Sequence, residues 1–290
     1  MSGTLVMARL TVREAARRKL LLALLIITIV VITVTVWGFW RLFQLTLEPA
    51  GSRDYLSPVE FRAFASQILI TVMFLFTFVL ALSSVFTASP SIGGELESGV
   101  ALAMLTRPIS RAEIVLGKWL GFAVLAAVYV AGAAGVEFIL VNWVTSYMPP
   151  HPFQFIAYMV GVTWTVMTFT LLLSTRVPSI AGGIIGLGAY GLAWMGGIAY
   201  SAGIVLHLSA VETAGNITRL LFPSDGLWHG AIYALEPAVI IAGLAGSGRA
   251  RAANPFEATA APPPAYLAWC VAWVVVVLGL AVWSFRTRDV

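Results

Sequence analysis

Apolar runs of about 20 residues alternate along the chain with short polar stretches. This pattern predicts helices that cross a bilayer, because a hydrocarbon core of about 30 Å takes about 20 helical residues. Six such runs are read, at residues 20–40, 67–90, 113–144, 153–175, 178–203 and 265–285. Aromatic residues stand near several of their ends: Trp37 and Trp40, Trp143 and Tyr147, and Tyr266 and Trp269. Such rings favour the headgroup level. Trp164 and Trp194 fall mid-run, where packing is the expected role.

The polar stretches differ in character. Residues 5–19, LVMARLTVREAARRK, set Leu5, Leu10 and Val12 among Arg9, Arg13, Arg17 and Arg18. That pattern fits an N-terminal amphipathic interfacial helix lying along the headgroups, with a solvated basic tail as the plain alternative. The apolar run behind it continues to Trp40 with no small-residue cleavage site, so an uncleaved first span is expected rather than a signal peptide. Residues 41–66 read as a loop carrying Pro49, Gly51 and Pro58. The longer segment 204–264 contains AVIIAGLAG at 238–246, too short to span but apolar enough to form a re-entrant or capping segment between spans 5 and 6. Its end, 246–264, is rich in Gly, Ala and Pro and reads as a flexible link.

Composition agrees with the pattern. Hydrophobic residues make up 60% and charged residues 10%, and mean hydropathy is +0.93, far from soluble domains, where about a quarter of residues are charged. The expectation is an all-α integral membrane protein, with one domain over 1–290 and six transmembrane helices.

An even number of spans puts both termini on one side. With that side cytoplasmic, Arg9, Arg13, Arg17, Arg18, Lys19, Arg107, Arg111, Lys118, Arg176, Arg286 and Arg288 lie inside, eleven of the 17 basic residues. That excess favours cytoplasmic termini. The net charge of +4 is thus read as orientation, with no nucleic-acid partner.

Catalytic chemistry is sparse. No GxxxxGK[ST] loop, HExxH or GxSxG occurs, and His151, His207 and His229 are scattered over external segments, so neither a metal nor a catalytic site is expected. Cys270 is the single cysteine. Glu137 falls inside the third run, where an ionised carboxylate facing lipid costs at least about 3 kcal/mol. It reads either as part of a translocation path, with Asn142 as a polar partner, or as a buried structural glutamate. Small residues at four-residue spacing, Gly182 with Gly186 and then Ala189, Ala193 and Gly197, predict close helix packing.

The polar stretch between spans two and three is the most organised. Gly93 and Gly94 are expected to break the second span, and ELESGVALAMLTR can form about three helical turns. Its acidic residues, Glu95 and Glu97, stand at the start and Arg107 at the end, matching the helix dipole. Leu96, Val100 and Met104 share a face, and Pro108 stops the helix. Ser110 and Glu113 then form an S-x-x-E capping box, with Ile109 and Ile114 placed for a hydrophobic staple, so a second helix runs from Arg111 into the third span. A short helix held at such a corner suits docking into a partner's groove; a surface-lying helix without a partner is the alternative.

The string ELESGVALAMLTRPISRAEIVLGKWLG resembles the hallmark of ATP-binding-cassette (ABC) transporter permeases of the type-2 exporter class, matching at Glu95, Gly99, Pro108, Ile109, Ser110, Arg111, Glu113, Leu116, Gly117 and Lys118. RLLFPSDGLWHGAIYAL at 219–235 and the ending SFRTRDV resemble other parts of those proteins. The resemblance implies a permease subunit in the inner (cytoplasmic) membrane, with a second permease copy and two copies of a separate ABC ATPase. ATP and Mg would then sit on that partner, and no cofactor on this chain. A cytoplasmic coupling helix within 91–118 would meet the ATPase through Glu95, Leu96, Glu97, Gly99, Val100, Arg107, Pro108, Ser110, Arg111 and Glu113. It also implies that the first, second and fifth spans line the route, which favours a structural Glu137. A membrane-embedded enzyme or an ion-coupled carrier using Glu137 is the rival reading.

Overall fold

A computed structural model describes residues 3–16, 19–49, 52, 54–97, 110–237, 254, 256–258 and 260–288, with backbone alone at 19, 20, 96 and 97. The described residues form helices and connecting turns: α1 (Gly3–Ala16), α2 (Lys19–Leu45), α3 (Pro58–Ala88), α4 (Gly93–Glu97), α5 (Arg111–Thr145), α6 (Pro152–Ser174), α7 (Ser179–Leu206), α8 (Ser209–Leu221), α9 (Ser224–Leu235) and α10 (Pro264–Arg286). Six of these, α2, α3, α5, α6, α7 and α10, are long and apolar enough to cross a membrane.

Two of the long helices start with the same local device. Ser57 and Glu60 close a capping box at α3, with Pro58 in its first turn, and Ser110 and Glu113 close one at α5. Each box satisfies backbone N–H groups that have no partner in the first helical turn. The α3 box begins that helix nine residues before the expected start of the second span, and α2 runs on to Leu45. The loop expected at 41–66 therefore narrows to the residues between Leu45 and Pro58.

Helix α6 is the hub, touching α3, α5, α7, α9 and α10. Its core face carries four buried threonines, and each hydroxyl donates to the carbonyl four residues earlier: Thr163 to Met159, Thr165 to Gly161, Thr168 to Trp164 and Thr170 to Val166. With no water in an apolar interior, these internal bonds remove the cost of burying a hydroxyl. The largest core cluster joins Phe39, Phe61, Leu69, Met73, Phe138, Phe155 and Ile232, with Phe138 and Phe155 meeting edge to face at 5.4 Å.

The N-terminal helix is packed onto the bundle. Met7, Ala8, Thr11 and Ala15 of α1 are buried, and α1 lies against α5. The contact depends on two glycines one turn apart: a Cβ at Gly117 would stand 2.4 Å from Met7 Cβ, and one at Gly121 would stand 2.8 Å from the Ala8 carbonyl oxygen. Backbone approach of this closeness is what small-xxx-small pairs permit. Leu5, Val6 and Leu10 remain exposed beside Arg9 and Arg13.

After α7 the chain reverses at His207, which takes a left-handed conformation (φ 56°), and α8 returns antiparallel along α7. Gly203 faces the Glu212 backbone, and Gly215 faces Tyr200, in both cases so closely that a Cβ would fall within 2.4 Å of backbone nitrogen. The C-terminal carbonyls of α8 are met by indoles from α10: Trp269 donates to Leu220 O at 3.0 Å and Trp273 to Leu221 O at 2.8 Å. The segment 204–264 therefore holds two packed helices, α8 and α9, in its first half; residues 238–246 lie outside the described residues.

The small-residue stripe of α7 packs within the chain. A Cβ at Gly182 would lie 3.2 Å from Ser89 Oγ, at Gly186 2.7 Å from Thr170 Oγ1, and at Gly197 2.0 Å from Asp225 Oδ1. Ala193 is fully buried and Ala189 borders the same cluster.

Candidate functional site

The corner between the second and third long helices is built from α3, α4 and α5. The expected break at Gly93 and Gly94 lies earlier: α3 ends at Ala88, a turn spans Ser89 to Ile92, and the two glycines open α4. Pro90 accounts for the position of the break, since it lacks the N–H that would continue the ladder. The glycines serve proximity instead, because a Cβ at Gly93 would meet the Ser174 and Val177 carbonyl oxygens at 3.3 Å.

Lys118, four residues beyond Ile114 on α5, is only 3% exposed. Its Nζ donates to Glu95 Oε1 at 2.5 Å and also to the Ser91 carbonyl. A buried ammonium requires such partners, because its desolvation costs several kcal/mol. The lysine therefore ties the turn after α3 and the first turn of α4 to α5.

Two further site residues close the same corner. Glu113 completes the capping box through Oε2 and accepts the Gly3 N–H through Oε1 at 3.1 Å, joining α1 to the start of α5. Arg111 turns away from α4. Its Nη1 donates to the carbonyls of Phe285 at 3.2 Å, Arg286 at 3.1 Å and Arg288 at 2.5 Å, capping the unpaired carbonyls at the end of α10. Arg176 reaches Ser284 Oγ at 3.1 Å and Thr287 Oγ1, and Arg288 reaches back to the Thr175 carbonyl. The α6–α7 turn, the end of α10 and the start of α5 are thereby clasped together.

Of the residues expected at this site, Ser110 and Glu113 meet in the capping box, Glu95 meets Lys118, Arg111 turns to the end of α10, and Leu96 and Glu97 belong to α4 by backbone. Gly99, Val100, Arg107, Pro108 and Ile109 lie outside the described residues. The structure separates Glu137 from Asn142: Glu137 is 4% exposed, and its Oε1 has no hydrogen-bond partner among the described residues, whereas Asn142 is exposed. A spacing of five residues turns the two side chains about 140° apart on a helix, so the expected pairing does not form. Among the described residues no group of three or more His, Cys, Asp or Glu is placed to hold a metal ion.

A second polar cluster, drawn from the 219–235 stretch whose side chains the sequence did not pair, lies at the opposite end of the bundle. Arg219 Nε pairs with Asp225 Oδ2 at 2.9 Å, with the guanidinium 4.5 Å over the Tyr200 ring. His229 Nδ1 is 3.0 Å from the Asp225 carbonyl oxygen and 3.4 Å from its carboxylate. Burial lowers the basicity of His229, but its contacts with Asp225 outweigh that and leave its pKa raised. Glu236, 2% exposed, has its pKa pushed up to about 8 by burial, against a hydrogen bond from the Ala258 N–H. The i, i+4 spacing of Asp225 and His229 on α9 was the available sequence signal.

Comparison with known proteins agrees with this architecture. A family model described as "ABC-2 family transporter protein" matches residues 12–290. The chain belongs to the ABC-2 transporter family. A relative from Stutzerimonas stutzeri, named as the probable ABC transporter permease protein NosY, is 29% identical over 231 residues, covering 73% of this chain and 77% of that protein. This ABC-2 protein is thus a multi-pass transmembrane permease of an ABC transporter, and membership of the family implies association with ABC ATPase subunits.

Proposed function

We propose that this ABC-2 permease forms the translocation path of an exporter and receives the motion of a separate ATPase at the Glu95–Lys118 corner. The observation that carries this reading is the buried ion pair itself. A rigid link through Lys118 passes any displacement of α4 to α3 and α5 together, and the Glu113–Gly3 and Arg111–α10 contacts extend it to both chain ends. In this reading ATP and Mg are held by two copies of the partner ATPase, and this chain binds neither.

A second permease copy is proposed to complete the path. Helix α2 exposes Leu22, Ile26, Ile29, Val30 and Val34, and α7 exposes Ile180, Ile184 and Leu192. These faces fit either lipid or a second copy of the chain, and a homodimer places a route between the two. The corner side is assigned to the cytoplasm, with both termini there, in the inner membrane. Glu137 is then a buried structural group; an embedded enzyme or carrier built on it needs a second catalytic group, and Glu137 Oε1 has no hydrogen-bond partner among the described residues.

The test is copurification. The chain, expressed with candidate ABC ATPases, is expected to retain one in detergent and to stimulate its ATP hydrolysis. Glu97→Lys and Arg107→Glu are expected to weaken the complex while leaving the melting of the permease unchanged. A chain that retains no ATPase in detergent and crosslinks to none overturns the reading.

A further inference from the structure

Beside the second polar cluster is a pocket of about 450 Å³ lined by Tyr200 of α7, Asn216 and Arg219 of α8, His229 of α9, Glu257, and Tyr266 of α10. The volume lies within the range of small-molecule sites and is far larger than the roughly 30 Å³ share of one water. Tyr266, in the first turn of α10, and Tyr200, about 9 Å before the end of α7, put the pocket at the membrane border.

Two of its lining groups have unmet hydrogen-bonding capacity of opposite kind. Arg219 lines the pocket and faces Asp225 through Nε at 2.9 Å, yet that buried Nε makes no hydrogen bond of good geometry among the described residues. Glu257 accepts from Asn254 through Oε1 at 3.1 Å, while its buried Oε2 has no donor among the described residues. A guanidinium fork takes a phosphate, and a carboxylate oxygen takes an N–H donor. The ligand chemistry that satisfies both is a phosphate joined to a primary ammonium.

The same helix that supplies Arg219 and Asn216 exposes Ile217, Leu220 and Leu221, with Leu206 and Leu208 exposed at the preceding turn. This apolar face beside a polar pocket at the border suits acyl chains. We propose that the pocket binds the headgroup of a phosphatidylethanolamine lipid, with its tails along α8. The proposal stands apart from the ATPase coupling and concerns the opposite end of the bundle.

The experiment uses the full chain, delipidated in detergent, with retained lipid counted by native mass spectrometry and melting followed in parallel. Dioleoyl phosphatidylethanolamine is expected to bind about tenfold more tightly than the phosphatidylcholine analogue, whose quaternary ammonium cannot donate, as the loss of one charge-assisted hydrogen bond would give. Glu257→Gln, with melting in the absence of lipid as the fold control, is expected to erase that preference. Arg219→Lys keeps a cation for Asp225 but removes the fork, and is expected to weaken phosphatidylethanolamine and phosphatidylglycerol alike. Stabilisation by soluble phosphoethanolamine equal to that by the lipid supports the headgroup chemistry and assigns it a soluble source. Equal binding of the ethanolamine and choline lipids to the wild-type chain, or a preference that survives in a folded Glu257→Gln protein, overturns the proposal.

Discussion

Lys118 of α5 and Glu95 of α4 form an ion pair at 2.5 Å, with the lysine side chain 4% and the glutamate 19% exposed. The pair crosses the corner that the break after α3 creates, and the same ammonium holds the Ser91 carbonyl within the turn. One buried cation thus ties the end of one membrane-crossing helix to the start of the next.

Removing either partner takes from the other the ion pair that offsets its burial. Lys118→Met and Glu95→Gln are each expected to cost about 3–5 kcal/mol where burial is complete, less at the partly exposed glutamate. Thermal unfolding in detergent measures this. The exchanged pair, Glu95→Lys with Lys118→Glu, is expected to recover part of the loss, and no recovery would show that the Ser91 contact dominates.

The α1–α5 contact should be intolerant of size. At Gly117 a Cβ already meets Met7 Cβ at 2.4 Å, and overpacking costs about 1–3 kcal/mol or more. Gly117→Leu is therefore expected to unseat α1. Faster trypsin cleavage after Arg9 and Arg13 reads this directly, with the six long helices retained by circular dichroism.

Arg111 caps three carbonyls at the end of α10. Arg111→Ala is expected to fray that end, and hydrogen bonds to a charged group are worth about 1.5–3 kcal/mol. Amide exchange over residues 283–288 should accelerate by about tenfold or more. Arg111→Lys, with a point charge in place of a fork, is expected to recover only part of the protection.

Stability should depend on pH through Glu236. Its carboxyl is pushed up to about 8 in the fold by burial, above an ordinary carboxylate value of about 4.3. The folded state therefore binds the extra proton, and its stabilising contribution is full below the ordinary value and lost as pH rises through about 8. Melting temperature is expected to fall from pH 5 to pH 9, and Glu236→Gln is expected to flatten that slope. The raised pKa of His229 acts with the same sign, so a residual slope remains in that variant.

The apolar runs alone determined that the chain is helical and crosses a membrane, because a backbone in hydrocarbon must satisfy its own hydrogen bonds. Local pattern also determined the start of α5, since the Ser110–Glu113 box involves neighbours three residues apart. Contacts between distant residues were not legible. Pairing of Lys118 with Glu95, capping of α10 by Arg111, the seating of α1 on Gly117 and Gly121, and the separation of Glu137 from Asn142 all depend on how helices pack, which no window of sequence contains. The polar cluster of Arg219, Asp225 and His229 was hidden for the same reason. The cluster forms only because α8 folds back along α7, and there Gly197, which the sequence assigned only to packing, leaves the space that the Asp225 carboxylate fills.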